Sequence, residues 1–485
     1  MIHDSVPPAD AVEAPRGQLD DDAAYLHRLG YKQELNRALG LFSSFGVQFT
    51  SISVGSIIFT TLVVGFEFFG PASFWAFVVG GAFQVFFMGL AVAELVSAYP
   101  LSGGVYQIVN RLTKARWLGW QAGWWLVIAH TVAVTAVAVA IVPFVAGWFG
   151  YSDLSAGTTT LCTLGILVAV TLINVAGVKV AAFVNNLGVF AEIAGILVVV
   201  GALLFVKYQH APLSTLNDTA GTVHGGWWLA PFLFAMLLPA FTISSFDATG
   251  NAAEETKSAA WIAPLGTVMA NISAYIVGIV FIFLLVRAIP DVSDVMASAT
   301  PVEYILSSSV GGFVTNAFEA FAIVALLANM VMVQLTGVRV MWAKARDGQM
   351  PAARWLRKIN RQQIPINATL VCAALSMASA LYSPLLSVLA SLTALAWALA
   401  YGVVVTVGLA AVVRKTLPPH PFRLGAFSFF VFAVATAWSV VLCATLVKSD
   451  PLRVGLGMLV TVTAGFVVYL FIPADRRARH LDPAD

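Results

Sequence analysis

Charged residues are scarce in this chain. Asp, Glu, Lys and Arg together make up 10% of its 485 residues, whereas soluble globular domains hold about 25%. Hydrophobic residues reach 59%, and the mean hydropathy is +0.87. Such a composition excludes a soluble globule and predicts a polytopic membrane protein.

Cysteines and enzyme motifs are also few or absent. Cys162, Cys372 and Cys443 lie in separate apolar segments, which excludes a CxxC metal site and disfavours a disulfide framework. The sequence holds no HExxH or GxSxG motif, so a membrane-embedded enzyme is disfavoured. The net charge is +2 without a basic cluster, which argues against nucleic-acid binding. We therefore expect no metal, no cofactor and no nucleic-acid partner.

Apolar runs of roughly the length that crosses a bilayer recur along the chain. We predict an all-α protein with about twelve transmembrane helices in one domain, 37–474, between tails at 1–36 and 475–485. The oligomeric state is left open. The predicted spans lie at about 39–63, 73–97, 117–147, 159–178, 183–206, 229–256, 264–289, 312–342, 366–382, 385–413, 425–447 and 452–473.

The predicted spans divide the basic residues unevenly between the two sides of the membrane. With the N-terminus inside, only Lys207, Arg287, Lys448 and Arg453 of the 26 Lys and Arg residues fall on the outer side. Cytoplasmic loops carry an excess of Lys and Arg. The pattern predicts a multi-pass protein of the plasma membrane with both termini in the cytoplasm.

The sixth predicted span changes character between Thr242 and Gly250. The Ser, Thr and Gly residues there are poor helix formers, and a helix break survives in a membrane only where it lines a cavity or is buried in protein. Asp247 lies within this stretch, and a carboxylate at mid-membrane costs about 2.5 to 3.5 kcal/mol. The pattern favours a binding site over a kinked helix whose Asp247 pairs with a neighbouring helix.

The first predicted span has the same peculiarity, with polar and small residues at mid-membrane. In secondary transporters, discontinuous helices at corresponding positions of two inverted repeats form the substrate site. The alternative is close helix packing through small residues. The predicted substrate-binding residues are Thr50, Ser51, Ser53, Gly55 and Ser56 in the first span, and Thr242, Ser244, Ser245, Phe246 and Asp247 in the sixth.

The roles of these two breaks follow from the charges at helix ends. Amide groups near Ser53 to Ser56 are predicted to hold a substrate carboxylate, and carbonyls near Thr242 to Ser245 to accept its ammonium. Glu192, in the middle of the fifth span, is either a proton carrier or a carboxylate paired with a hydroxyl. His130 is interpreted as a core residue rather than a ligand.

Several motifs together resemble the amino acid-choline transporter family of the amino acid-polyamine-organocation superfamily. They are Tyr31–Arg37 with the following PheSerSerPheGly, Ala93–Tyr106, Ser245–Lys257, Ala343–Pro351 and His420–Gly425. The resemblance covers nearly the whole chain. It departs from the commonest pattern at Thr249, Gly250 and Asn251, where relatives often have Ser, Ala and His, so the identity of the substrate cannot be carried over.

The resemblance implies a five-plus-five inverted repeat, at about 37–207 and 227–413, with two extra helices at 424–473. It also implies a secondary active transporter, not an enzyme, that imports an amino acid or related amine by alternating access. A sodium site in this fold uses carbonyls of the first span and a hydroxyl pair in the eighth, and Asn329–Gly337 lacks that pair. We therefore predict a coupling proton carried by Asp247 and Glu192. The alternatives are an amino acid exchanger and a transporter of organic cations such as choline or a polyamine.

Overall fold

The computed structural model describes residues 37, 39–151, 154–205, 210–360, 364–383 and 385–473. Within these ranges the regular secondary structure is helical, as predicted, apart from one isolated bridge between Leu39 and Thr256. The predicted tails at 1–36 and 475–485 lie outside the described residues, as does nearly all of the motif Tyr31–Arg37.

Nine helical stretches of the described residues are long and apolar enough to cross a membrane. Two shorter apolar helices, Leu229–Thr242 and Ile366–Tyr382, join them. The nine stretches are Leu41–Ala98, Arg116–Trp148, Ala156–Ala176, Val180–Phe205, Ala259–Arg287, Gly312–Arg346, Leu386–Arg414, Gly425–Ser449 and Pro451–Leu470.

The first of these stretches crosses twice. Its 58 residues would span about 87 Å as a straight helix, against a hydrocarbon core of about 30 Å. The chain turns at Gly70, whose φ of 55° and ψ of −153° are accessible mainly to glycine. Counted as two crossings, and with the two shorter helices added, the described helices give the twelve predicted spans.

Shorter helices connect the spans. One of them lies between the second and third spans. The connecting helices are Gly104–Leu112, Val292–Ala297, Pro301–Ser309 and Ala353–Leu356, with a 3-10 turn at Leu213–Asn217.

The core lies around the third and eighth spans. The most apolar window of Arg116–Trp148 is 94% buried and that of Gly312–Arg346 is 72% buried, against 17% for Pro451–Leu470. The eighth span packs against the fifth, Val178–Phe205, while the third packs against the eighth and the tenth, Leu386–Arg414. The last span is therefore peripheral, and the division into two repeats stays a prediction.

Candidate binding site between two broken helices

The first span is broken at Ser53. One helix, Leu41–Ile52, ends there and a second, Val54–Phe69, begins. Ser53 has the left-handed conformation, with φ of 48°, which is uncommon for a residue other than glycine. Such backbone outliers cluster at functional sites and persist only where the surroundings enforce them.

The carbonyls at the end of the first half-helix are bound by Asn329 of the eighth span. The Asn329 side-chain amide donates to the carbonyls of Thr50 and Ser51 at 2.9 Å each. The last carbonyls of a helix have no partner within it. One amide group thus satisfies two backbone oxygens at the break.

The beginning of the second half-helix is bound by Glu192 of the fifth span. Its Oε1 accepts from the Gly55 amide at 2.7 Å and from the Ser56 amide at 3.3 Å. Its Oε2 accepts from the Ser53 hydroxyl at 2.8 Å and from the Ser56 hydroxyl. Glu192 is buried, and its negative charge lies at the positive end of the helix dipole.

The sixth span is broken over Ile243–Asp247. The helix Leu237–Thr242 ends before it, and a short helix, Ala248–Asn251, follows. Ser245 has a φ of 58°, so each break contains a left-handed serine. The hydroxyls of Thr242 and Ser244 bond back to their own helix, at the carbonyls of Leu238 and Phe241.

The helices on either side of the two breaks pack against each other: Leu41–Ile52 contacts Ala248–Asn251, and Val54–Phe69 contacts Leu237–Thr242. Gln48 of the first span donates to the Ser244 carbonyl at 3.4 Å and to the side chain of Asn271 in the seventh span at 3.1 Å. The structure therefore brings together the helices that carry the two predicted sets of site residues.

Asp247 is completely buried and paired within the protein. Its carboxylate accepts from the Tyr401 hydroxyl of the tenth span and from the Asn251 side chain at 2.7 Å. Phe246, beside it, packs its ring against that of Tyr401 with the centroids 5.2 Å apart. The Asp247 carboxylate lies at the break, and each of its oxygens accepts one of these two hydrogen bonds.

His130 of the third span also belongs to this region, although we interpreted it as a core residue. Its Nδ1 lies 2.7 Å from the Leu126 carbonyl, so this nitrogen carries the proton. Its Nε2 has no hydrogen-bond partner among the described residues and lies 3.9 Å from the Asp247 carboxylate. A histidine within an apolar span is the only feature of the sequence that could have pointed to this contact.

Three further polar atoms at or near the breaks are buried and make no hydrogen bond within the described part of the chain. They are the hydroxyls of Thr50 and Ser245 and the indole nitrogen of Trp397, whose ring lies 6.2 Å from that of Phe241. The Trp397 ring lies 5.8 Å from that of His130. Because buried polar groups nearly always have a partner, these atoms indicate where a bound molecule or water would complete the site.

The chain is similar in sequence to known amino-acid permeases. The chain is 29% identical over 475 residues to an amino-acid permease BAT1 homolog of Oryza sativa subsp. japonica, covering 91% of this chain and 89% of the relative. It is 27% identical over 460 residues to the amino-acid permease BAT1 of Arabidopsis thaliana, covering 87% of each.

A bacterial relative matches over a similar length. The branched-chain amino acid permease BcaP of Bacillus subtilis is 27% identical over 467 residues, covering 90% of this chain and 93% of the relative. A family model described as amino acid permease matches residues 39–472. This match covers most of the chain and includes both broken spans. The chain therefore belongs to the amino acid permease family.

Proposed function

We propose that this protein imports an amino acid across the plasma membrane by alternating access, driven by the proton gradient, with both termini in the cytoplasm. The paired breaks carry the proposal, since they place two interrupted helices and the unpartnered hydroxyls of Thr50 and Ser245 inside the protein. We also propose that it belongs to the amino acid-choline transporter branch, as its motifs suggest.

The geometry supports a zwitterionic substrate. The half-helix that begins at Val54 has amide groups suited to a carboxylate, and in this structure those of Gly55 and Ser56 bind the carboxylate of Glu192. The sixth-span break offers the Ser245 hydroxyl and backbone carbonyls to an ammonium. The relatives' names, amino-acid permease and branched-chain amino acid permease, agree with this substrate class.

Asn329 favours protons over sodium as the coupling ion. In the fold that the motifs resemble, carbonyls of the first span are sodium ligands. Here the Asn329 amide donates to two carbonyls at the break of the first span, those of Thr50 and Ser51, and a carbonyl that accepts from an amide is a poorer ligand for a cation. Glu192 and Asp247 remain as buried acids that a proton could neutralise.

An organic cation is the second candidate substrate. Two carboxylates, Glu192 and Asp247, are buried at the breaks, and a positively charged guest such as choline or a polyamine would compensate them. This charge excess is the specific observation that keeps the alternative open.

Purified protein in proteoliposomes would test the proposal. Uptake of labelled leucine, γ-aminobutyrate, choline and putrescine is measured with an inward proton gradient, in sodium or potassium buffer, with and without a protonophore. We expect an amino acid to be taken up, a protonophore to stop accumulation and sodium removal to change nothing. Loss of uptake without sodium, with no effect of the protonophore, would contradict proton coupling. Uptake that requires preloaded substrate would identify an exchanger.

A further inference from the structure

Glu192 lies where the carboxylate of an amino acid is expected to bind. Its two oxygens receive two amides and two hydroxyls, all from Ser53, Gly55 and Ser56. These are the donors that the start of a half-helix would offer to a substrate anion. The site is therefore already filled by a carboxylate of the protein.

The packing leaves little room for a second carboxylate beside it. A Cβ atom at Gly55 would lie 2.7 Å from Cγ1 of Ile196 and 3.2 Å from Oε1 of Glu192. The Glu192 side chain thus packs directly on the glycine backbone. Two carboxylates on one set of donors would also repel each other, since like charges in a shared site do not both ionise.

We propose that Glu192 competes with the substrate's own carboxylate for the N-terminus of Val54–Phe69, so that a carboxylate-bearing substrate binds there only after Glu192 takes up a proton. An amine that lacks a carboxylate binds while Glu192 stays charged. The inference rests on the proposed function, because it takes the two breaks as the substrate site.

The proton exchange is chemically simple. One proton adds to a carboxylate oxygen of Glu192 and no covalent bond to carbon changes. A serine hydroxyl both donates and accepts hydrogen bonds. Ser53 or Ser56 can therefore accept from the new carboxyl, while the Gly55 and Ser56 amides are released to the incoming carboxylate.

The groups that directly surround Glu192 are uncharged. Charged residues on the packed spans lie toward the span ends: Arg287 donates to the Ala211 carbonyl, Glu319 accepts from Trp148 and Arg339 pairs with Glu255. The first span itself carries Glu67, about 18 Å along the helix from Gly55 at 1.5 Å per residue. None of these groups replaces Glu192 at the helix end.

The amine end of the site is independent of this competition. The hydroxyls of Ser245 and Thr50 are buried without a hydrogen-bond partner among the described residues, so they stay available in either protonation state of Glu192. A substrate's ammonium group is therefore bound by these hydroxyls whether or not its carboxylate binds at the N-terminus of Val54–Phe69.

Matched pairs of amino acid and amine test the proposal on the unaltered protein. Binding of phenylalanine and phenethylamine, serine and ethanolamine, and ornithine and putrescine is measured to the full-length protein between pH 5 and 8. For a pair that binds, we expect the affinity for the amino acid to rise about tenfold for each unit by which the pH falls, over the range where Glu192 is charged. The reason is that one proton binds to Glu192 together with each amino acid. The amine should show no such slope. Equal slopes for both members would overturn the inference.

Variants test whether the pH dependence of amino acid binding comes from Glu192. Glu192→Gln is neutral at every pH, so the amino acid should bind with the affinity that the unaltered protein reaches at pH 5, without a slope. Glu192→Asp keeps the charge and should keep the slope. The control Glu319→Gln removes a carboxylate that bonds Trp148 instead, and should also keep it. A slope that persists in Glu192→Gln would overturn the inference.

The failure of the inference differs from the failure of the proposed function. If an amino acid is transported but its pH slope does not depend on Glu192, only the competition is wrong. If no member of any pair is bound or transported, the proposed function is wrong as well.

Discussion

Asn329 offers the sharpest test of how the first break is held. In Asn329→Ala, the Thr50 and Ser51 carbonyls lose donors that lie at 2.9 Å. Each buried carbonyl left without a partner costs about 1 to 3 kcal/mol. Because water can enter the space, we take the lower end of this range for each of the two carbonyls. We therefore expect the native break to lose about 2 kcal/mol of stability, which lowers its population roughly thirtyfold.

The assay combines stability with transport. Unfolding of the detergent-solubilised protein is followed by fluorescence-detected size exclusion after heating, and uptake is measured in proteoliposomes. The matched control is Asn174→Ala, since that buried amide donates to the Val331 carbonyl at 3.1 Å and to Gln334 at 2.8 Å, and neither partner belongs to a break. It should lower stability but leave substrate affinity unchanged.

A substitution that introduces a negative charge at the same position makes the prediction stronger. Asn329→Asp replaces the donor with a carboxylate facing two carbonyl oxygens, an oxygen set that favours a hard cation. Uptake should then depend on sodium or lithium in the buffer. Unchanged stability and uptake in Asn329→Ala would refute the reasoning.

Three further predictions concern the site and the orientation of the protein in the membrane. Asp247→Asn keeps the size of a side chain that accepts two hydrogen bonds but removes its charge. Uptake should therefore fall at least about tenfold, or about 1.4 kcal/mol, at normal expression, and normal transport would contradict the role of Asp247. Gly55→Val should abolish binding because a Cβ there meets Ile196 at 2.7 Å, whereas Gly46→Ala, with nothing within 4 Å of its Cβ, should bind normally. In a cysteine-free background, cysteine at Ser152 should label from outside intact cells and cysteine at Arg479 should not; reversed labelling would refute the orientation.

The local features of the fold could be predicted from the sequence. The all-helical membrane fold is confirmed, and the breaks at Ser53 and Ile243–Asp247 lie inside the polar stretches that predicted them. Both follow from short-range chemistry, because serine, threonine and glycine weaken a helix wherever they occur. The inverted repeat and the substrate-binding roles remain predictions.

The contacts that hold the breaks could not be predicted in the same way. Asn329 lies 279 positions from Thr50, and Glu192 lies 137 positions from Gly55. Helical periodicity reports which face of a helix is apolar but not which residue of another helix meets it. We expected Glu192 to carry a proton or to pair with a hydroxyl, and the structure shows two hydroxyl partners, both in the first break.

The charges buried at the breaks limit what the site can accept. The partners of Glu192 are neutral, and those of Asp247 are a phenol and an amide. The Nε2 atom of His130 lies 3.9 Å from the Asp247 carboxylate and has no hydrogen-bond partner among the described residues. Buried charges are otherwise paired or neutralised, so under the proposed function a guest brings a positive group, a proton is taken up, or both. Amino acids, choline and polyamines would all supply that positive group, and they would differ in whether a carboxylate must also bind at Gly55.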